Sequence, residues 1–213
     1  MMGASPHQEA IVTAYDAIAA YRDEAGLPRF VGNQLRLLLP RHDGSLYQPS
    51  PDLIVHTTLG PGPRTALNVP LTGPPALALE VASPSPALNH GLDTRNPRAS
   101  AAAGIAEYLV FDPFGDLVPG QVRAWRLGAG PEYDDWLPGP DGRWPSAALG
   151  LAFAPEGPLP RAFRPDGTPL PFNAELARRV RALERENAAL LAELRRLRGE
   201  REGDSGLPVR VSS

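Results

Sequence analysis

The sequence contains no cysteine. This absence excludes a disulfide framework, a thiolate zinc site and a cysteine nucleophile. Lysine is absent too, because all 21 residues counted as lysine plus arginine are arginines. A GC-rich genome that exchanges lysine for arginine would account for this bias. The bias still excludes, in their standard forms, mechanisms that need a lysine amine, such as a Schiff base or a P-loop lysine.

Long apolar runs are also missing. No stretch approaches the roughly 20 consecutive apolar residues of a membrane-spanning helix. The amino-terminal residues lack the basic and apolar regions of a secretion signal. We therefore expect a cytoplasmic protein that makes no membrane contact. The net charge of −3 provides no overall basic field, so binding of nucleic acid would need a local basic patch.

A chain of 213 residues is long enough for one domain and an appendage. Apolar periodicity predicts an amphipathic helix at the amino terminus and a second helix near the middle, with strands around them. The helices are predicted at His7–Ala25 and Pro97–Ala103, and the strands within Phe30–Leu39, Pro51–His56, Ala76–Val81, Glu107–Phe111 and Gln121–Leu127. This order predicts an α/β (α+β) fold.

Two regions rich in proline and glycine give weaker signals. Residues 60–75 are interpreted as a connector without regular structure. Residues 128–171 are interpreted as a loosely structured flap with one or two short strands, such as Ala148–Phe153. We expect the domain to occupy residues 1–171, followed by a helix over 172–200 and a disordered tail over 201–213.

The terminal helix carries a heptad repeat. Asn173 is a suitable N-cap, and apolar residues follow at alternating spacings of four and three. The repeat assigns Val180, Asn187 and Leu194 to position a, and Leu176, Leu183, Leu190 and Leu197 to position d. An asparagine at a single a position costs stability but specifies register and two strands. The pattern predicts a parallel homodimer through residues 173–200.

Charges beside this seam agree with a parallel pair. Arg179 at g would face Glu184 at e of a second copy, and Glu193 at g would face Arg198 at e. The alternative is that the apolar stripe packs against the chain's own domain.

Three segments carry a resemblance to a known family. In order, they are PDLIV at residues 51–55, LALEVASPS at 77–85 and GIAEYLVFDP at 104–113. With them the chain resembles the bacterial Uma-type endonucleases of the PD-(D/E)XK nuclease superfamily. The similarity runs from about His7 to PDGTPL at 165–170, and many members also end in a coiled coil. It implies a restriction-endonuclease-like core with a mixed central sheet flanked by helices, and DNA as partner.

The resemblance also implies a metal site. Asp52 and Glu80 match the family's metal-binding carboxylates, and the carbonyl of Val81 would complete a site for Mg²⁺ or Mn²⁺. Such an ion lowers the pKa of a bound water and neutralises charge on the attacked phosphate. For Asp52 the alternative is an ordinary acid at a strand start. A carboxylate inside the run LALEVA is harder to explain without a metal or a partner.

The family's lysine position is changed in this chain. Counting back from Gly104, the resemblance places that position at Asn96, with Arg95 and Arg98 beside it. These arginines could attract a phosphate, but arginine does not release a proton near neutral pH. The catalytic candidates implied are therefore Asp52, Glu80, Arg95 and Asn96.

Two hypotheses remain open for the function. One is a Mg²⁺-dependent DNA endonuclease acting as a coiled-coil dimer. The other is a catalytically inactive relative that keeps the fold as a binding or assembly module. The four histidines show no metal-ligand spacing, which favours surface or capping roles for His7, His42, His56 and His90. Only His90, with Asp93, lies near the expected site in sequence.

Overall fold

The computed structural model describes residues 5–27, 29–41, 43–83 and 95–204. His42, His90, Asp93 and the tail from residue 205 lie outside these ranges. The chain divides into two compact units, Met1–Leu170 and Pro171–Ser213. Within the described ranges, no helix is both long and apolar enough to cross a membrane.

The first unit combines three helices with twelve strands among its described residues. The helices are α1 (Pro6–Glu24), α2 (Val69–Thr72) and α3 (Arg95–Ala102). The strands are β1 (Phe30–Asn33), β2 (Arg36–Pro40), β3 (Leu46–Tyr47), β4 (Leu53–His56), β5 (Ala66–Asn68), β6 (Leu77–Val81), β7 (Glu107–Phe111), β8 (Val122–Leu127), β9 (Tyr133–Asp135), β10 (Trp144–Ser146), β11 (Leu151–Glu156) and β12 (Leu159–Phe163).

A six-stranded mixed sheet forms the centre of this unit, with strand order β1-β4-β6-β7-β8-β9. Strands β6 and β7 run parallel, and the other neighbours run antiparallel. Every residue of β4, β6 and β7 is buried. Strands covered on both faces read as continuous apolar runs, which is how these three strands were predicted from the sequence. The expected α+β class with a mixed central sheet is confirmed.

Two hydrophobic cores cover the two faces of the sheet. One core joins α1 and the sheet β10-β11-β12 to the central strands through Ile11, Leu79 and Phe153. The other joins the small sheet β3-β2-β5 to the opposite face through Leu37, Ile54 and Tyr108. Because successive strand residues point to opposite faces, Leu79 and Glu80 belong to different layers.

Helix α1 agrees with its predicted span to within one residue at each end. The Ser5 side chain accepts a hydrogen bond from the Gln8 N–H, and Pro6 occupies the first turn. After the helix ends, Gly26 adopts a φ of 63°, a conformation that glycine reaches without strain. The buried face of the helix packs in the core that contains β12.

The carboxyl-terminal third of this unit is more ordered than predicted. Residues 128–171 were expected to form a loose flap with one or two short strands, such as Ala148–Phe153, but they contain the four strands β9 to β12, of which β11 overlaps the expected one. Trp136, Leu149 and Leu170 from this region are buried in the core that contains α1. Prolines and glycines at the turns obscured these short strands in the sequence. The connector 60–75 likewise contains β5 and α2, which were not predicted.

The second unit contains α4 (Asn173–Asp204). The helix extends four residues into the expected tail. The carbonyl of Phe172 accepts the N–H groups of Glu175 and Leu176, and the Glu175 carboxylate accepts the Phe172 N–H. Phe172 is therefore the N-cap and Asn173 the first helical residue, so the predicted cap at Asn173 is wrong by one position. An acidic residue three positions into the helix provides the reciprocal bond.

Candidate functional site

Asp52 and Glu80 meet where β4 begins and β6 ends. The two strands are antiparallel, with Leu53 opposite Leu79, so the residues flanking this pair are brought together. The Asp52 N–H donates to Glu80 Oε2 at 3.3 Å, and the Val81 N–H donates to Asp52 Oδ2 at 2.8 Å. Each carboxylate is thus held by the backbone of the other strand. This reciprocal arrangement fixes both acids side by side.

Side-chain donors surround the other oxygen of Glu80. Tyr108 donates its hydroxyl to Glu80 Oε1 at 3.1 Å, and Asn96 Nδ2 donates to the same oxygen at 3.4 Å. The Tyr47 hydroxyl donates a hydrogen bond to Asn96 Oδ1. The polar network therefore extends from β6 through α3 to the small sheet. The hydrogen bonds donated by Tyr108 and Asn96, like that from the Asp52 N–H, favour an ionised Glu80.

Burial and charge act in the opposite direction. Glu80 is only 6% exposed. Burial, followed by repulsion from the Asp52 carboxylate, raises the pKa of Glu80 to about 8. Burial also raises the pKa of Asp52, against the opposing effects of the Val81 N–H and of His7. Two neighbouring acids with raised pKa values are typical of functional sites, because a bound cation would relieve their repulsion.

His7 is a member of the site that the sequence did not indicate. Its Nε2 lies 3.7 Å from Asp52 Oδ2, and its side chain is 21% exposed. The first turn of α1 brings it there, which no local spacing in the sequence could reveal. By contrast, His56 is buried, and its ring lies within hydrogen-bonding distance of the carbonyls of Thr72 and Gly73, a structural role.

The structure brings together most of the residues that the sequence singled out. Hydrogen bonds connect Asp52 with both Glu80 and Val81, and a further hydrogen bond connects Glu80 with Asn96. Arg95 is the first residue of α3, and its side chain lies outside the described part. Arg98 is exposed and lines a pocket of about 580 Å³ with Trp125 and Tyr133, on the face that Tyr108 shares.

Tyr47 and Tyr108 were missed as site residues. Tyr108 lies in a strand that was predicted correctly, and β7 pairs with β6 so that Val110 is opposite Glu80. Tyr108 precedes Val110 by two residues and therefore lies on the same face of the sheet. It could have been placed beside Glu80 if the register between β6 and β7 had been known. Tyr47 had no comparable signal, because it lies in a two-residue strand of another sheet.

The side chains offer two carboxylates as metal ligands. Within the described ranges, no three histidine, aspartate or glutamate side chains form a group that could ligate a metal ion. Mg²⁺ and Mn²⁺ do not require such a group, since Mg²⁺ commonly uses one or two carboxylates and keeps several waters. Oxygen donors with raised pKa values at Asp52 and Glu80 fit these hard cations.

A second buried carboxylate lies elsewhere in the sheet. Glu107, the first residue of β7, is 2% exposed and accepts a hydrogen bond from the Ser146 hydroxyl. It also accepts the N–H groups of Ala147 at 2.9 Å and Ala148 at 3.5 Å. The Nη2 atom of Arg126 lies 3.7 Å from Glu107 Oε1. Glu107 therefore ties β7 to the turn that follows β10.

Comparisons with known proteins identify one family model that matches residues 1–154, described as Uma2, a putative restriction endonuclease. Among solved structures, the chain is similar to a putative nuclease belonging to DUF820 from Anabaena variabilis, with 16% sequence identity and a TM-score of 0.44. That similarity covers 66% of this chain and 75% of the other. No curated protein sequence matches the chain.

Proposed function

The chain belongs to the Uma2 family of putative restriction endonucleases, and we propose on that premise that it is a divalent-metal-dependent endonuclease that hydrolyses phosphodiester bonds in DNA. The observation that carries the proposal is the Asp52–Glu80 pair. Its two carboxylates are held side by side by reciprocal backbone hydrogen bonds, in surroundings that raise the pKa of both.

The proposed roles follow from the contacts. Asp52 and Glu80 would hold Mg²⁺ or Mn²⁺, with the Val81 carbonyl as a further ligand. When bound, such an ion activates water and neutralises charge on the phosphate. Tyr108 and Asn96 orient Glu80 through the hydrogen bonds they donate. Arg98, exposed one turn along α3, would attract the phosphate backbone.

A second candidate function is binding of metal or DNA without cleavage. The observation in its favour is Asn96, which donates to Glu80 where the family resemblance implies a lysine. An amide carries no charge and cannot transfer a proton near neutral pH. Arginines cannot replace the lysine as a base. The two candidates share the metal site and differ only in turnover.

Plasmid cleavage tests the proposal. We expect purified protein to nick supercoiled DNA with Mg²⁺ or Mn²⁺ but not with EDTA, and we expect Glu80→Gln and Asp52→Asn to lose the activity. Asp116→Asn is the matched control, since Asp116 is an exposed acid after β7. Cleavage that survives Glu80→Gln would identify a contaminant. Metal binding without any cleavage would reject the endonuclease and support the second candidate.

Replacement of Asn96 by lysine separates the two candidates further. The new ammonium would lie near Glu80 Oε1, which Asn96 reaches at 3.4 Å. If the lost cation limits turnover, Asn96→Lys should raise the nicking rate, and Asn96→Leu should not. Equal rates in the two variants would show that the position does not control catalysis.

We also propose a parallel homodimer through residues 173–200. The six apolar a and d residues named above are between 38% and 58% exposed. Asn187 at position a and the attractive g–e pairs Arg179–Glu184 and Glu193–Arg198 favour a second copy of the helix as the occupant of this stripe. In sedimentation experiments the full chain should be a dimer. Leu190→Asp should yield monomers, whereas Ala192→Asp, outside the seam, should not. A monomeric wild type would reject this arrangement.

A further inference from the structure

We infer that Arg123 binds a phosphate group of the DNA strand that lies across the Asp52–Glu80 pair. This inference rests on the proposed endonuclease and adds a substrate contact on a strand that the metal site does not use. Arg123 is the second residue of β8, and its side chain is exposed.

The register of the central sheet places Arg123 in line with the two carboxylates. Glu80 lies opposite Val110 in the pairing of β6 with β7, and Val110 lies opposite Arg123 in the pairing of β7 with β8. Residues paired in this way project from the same face of a sheet. Because neighbouring strands are about 4.8 Å apart, the backbone of Arg123 is about 10 Å from that of Glu80, across two strand spacings.

The ring of Trp125 restrains the Arg123 guanidinium. Trp125 lies two residues further along β8 on the same face, and the Arg123 Cζ is 4.9 Å from its ring centroid. Trp125 is itself buried and packs against Tyr108, with ring centroids 5.9 Å apart. A guanidinium stacked on an aromatic ring keeps its charge and its N–H donors. The ring therefore orients the cation without neutralising it.

The charge of Arg123 is not balanced by an acid within the described ranges. Among those residues its guanidinium forms no ion pair and no hydrogen bond. Asp112 lies two residues beyond Val110, but its carboxylate already accepts N–H groups from the loop at residues 114–118. Arg126, on the opposite face of β8, differs because it donates to the Pro145 carbonyl and lies 3.7 Å from Glu107. Arg123 is thus available to a ligand.

A phosphate group fits this arrangement. Arginine is a frequent donor to DNA phosphates, and such contacts position the duplex without reading its sequence. A strand whose attacked phosphate lies at the carboxylates would carry a neighbouring phosphate over Val110, an uncharged residue, towards Arg123. Arg98 of α3 lines the pocket that contains Trp125, so cations from two elements adjoin this ring, and Glu132 is an acid in the same pocket.

The salt dependence of DNA binding tests the contact. Fluorescence anisotropy of a labelled duplex is measured in EDTA, which prevents metal-dependent cleavage, between about 50 and 200 mM NaCl. Arg123→Gln should lower the slope of log affinity against log salt by about 0.9 in magnitude and should weaken binding about fivefold near 150 mM NaCl. Arg123→Lys keeps the charge and should keep the slope.

Arg143→Gln is the matched control for this experiment. The Arg143 guanidinium also lies over an aromatic ring, 3.8 Å from the centroid of Phe163, but in the sheet β10-β11-β12 on the other face. This variant removes the same charge and should keep the wild-type slope. A wild-type slope in Arg123→Gln, or an equal change in both glutamine variants, would overturn the inference.

Metal binding and cleavage separate this inference from the proposed function. Arg123→Gln should bind Mn²⁺ as tightly as wild type, because salt screens exposed charges about 10 Å apart, and it should raise the KM for plasmid more than it lowers kcat. Weaker Mn²⁺ binding by Arg123→Gln would overturn the inference, as would an unchanged KM in an active enzyme. A wild type that binds DNA through Arg123 but never cleaves it would reject the endonuclease and keep the phosphate contact.

Discussion

Glu80 and Glu107 are buried glutamates on the neighbouring parallel strands β6 and β7, but their surroundings differ. Glu107 lies at the start of its strand and is satisfied by Ser146 and by backbone N–H groups of one turn. Glu80 lies near the end of its strand, on the opposite face, beside a second carboxylate. Burial raises the pKa of both.

The two environments differ in which interactions oppose the effect of burial on the pKa of the glutamate. For Glu107, hydrogen bonds and Arg126 oppose the effect of burial. For Glu80, the repulsion from Asp52 adds to burial, and only hydrogen bonds oppose them. A buried acid that is fully paired is a structural cross-link, whereas a pair of acids without a cation is a candidate metal site.

The largest expected effect is on stability at pH 8 without metal. A carboxyl group whose pKa is raised on folding binds its proton more tightly in the folded state, so stability falls as pH rises from the unfolded value of 4.5 to about 8. At about 1.4 kcal/mol per pH unit, the loss is on the order of 3–5 kcal/mol. Glu80→Gln keeps the neutral form and should be more stable than wild type at pH 8.

Urea denaturation at pH 5 and pH 8 measures this difference. Wild type should lose stability between the two values, while Glu80→Gln should lose much less. Glu132→Gln, at an exposed glutamate, serves as control and should follow wild type. A parallel decline in wild type and Glu80→Gln would show that Glu80 is not the group responsible.

The second-largest expected effect is a loss of stability in Glu107→Ala, in contrast to the gain expected for Glu80→Gln. Glu107→Ala removes the acceptor for Ser146 and for two backbone N–H groups. Buried donors without acceptors should lower stability by about 2–4 kcal/mol. The folded variant should bind Mn²⁺ as tightly as wild type, since Glu107 lies at the other end of the strands. Loss of Mn²⁺ binding by a folded Glu107→Ala variant would contradict the purely structural role of Glu107.

The smallest effect concerns His7. Its charge opposes the rise in the pKa of Asp52, so His7→Ala should raise that pKa further. Carboxyl ¹³C signals followed through a pH titration would measure the change. Gln8→Ala, at the next position of α1, is the control and should leave the Asp52 titration where it is. A downward shift in His7→Ala would mean that His7 does not interact with Asp52 as a cation.

Much of the central sheet could be predicted from the sequence because its strands are apolar on both faces. Strand β7 was predicted at its observed bounds, and Asp52 and Glu80 were recognised from the resemblance. Strand β11 was predicted only in part, as the short strand Ala148–Phe153, and β9, β10 and β12 were not predicted, because prolines and glycines within and between these strands interrupt the alternation. Their burial depends on partners distant in the chain, such as α1, whose Ile11 lies in the same core as Phe153 of β11 and Ala162 of β12.

The residues around the carboxylates were harder to find for a related reason. Asn96 was assigned to the site by counting back from Gly104 in the family motif. In the structure its Nδ2 lies 3.4 Å from Glu80 Oε1. His7 and Tyr47 reach the site from a helix start and from another sheet. Such contacts depend on tertiary packing and leave no local pattern in the sequence. The positions of His7 and Tyr47 around the carboxylates were therefore evident only from the structure.

Calorimetric titration of the metal-free chain with Mn²⁺ at pH 7 and pH 8 tests the central claim most directly. Because the ion must displace the proton on Glu80, binding should tighten roughly fivefold from pH 7 to pH 8 and should be lost in Glu80→Gln but kept in Glu107→Ala. Equal Mn²⁺ binding by wild type and Glu80→Gln, or no binding by either, would contradict the assignment of Asp52 and Glu80 as a metal site.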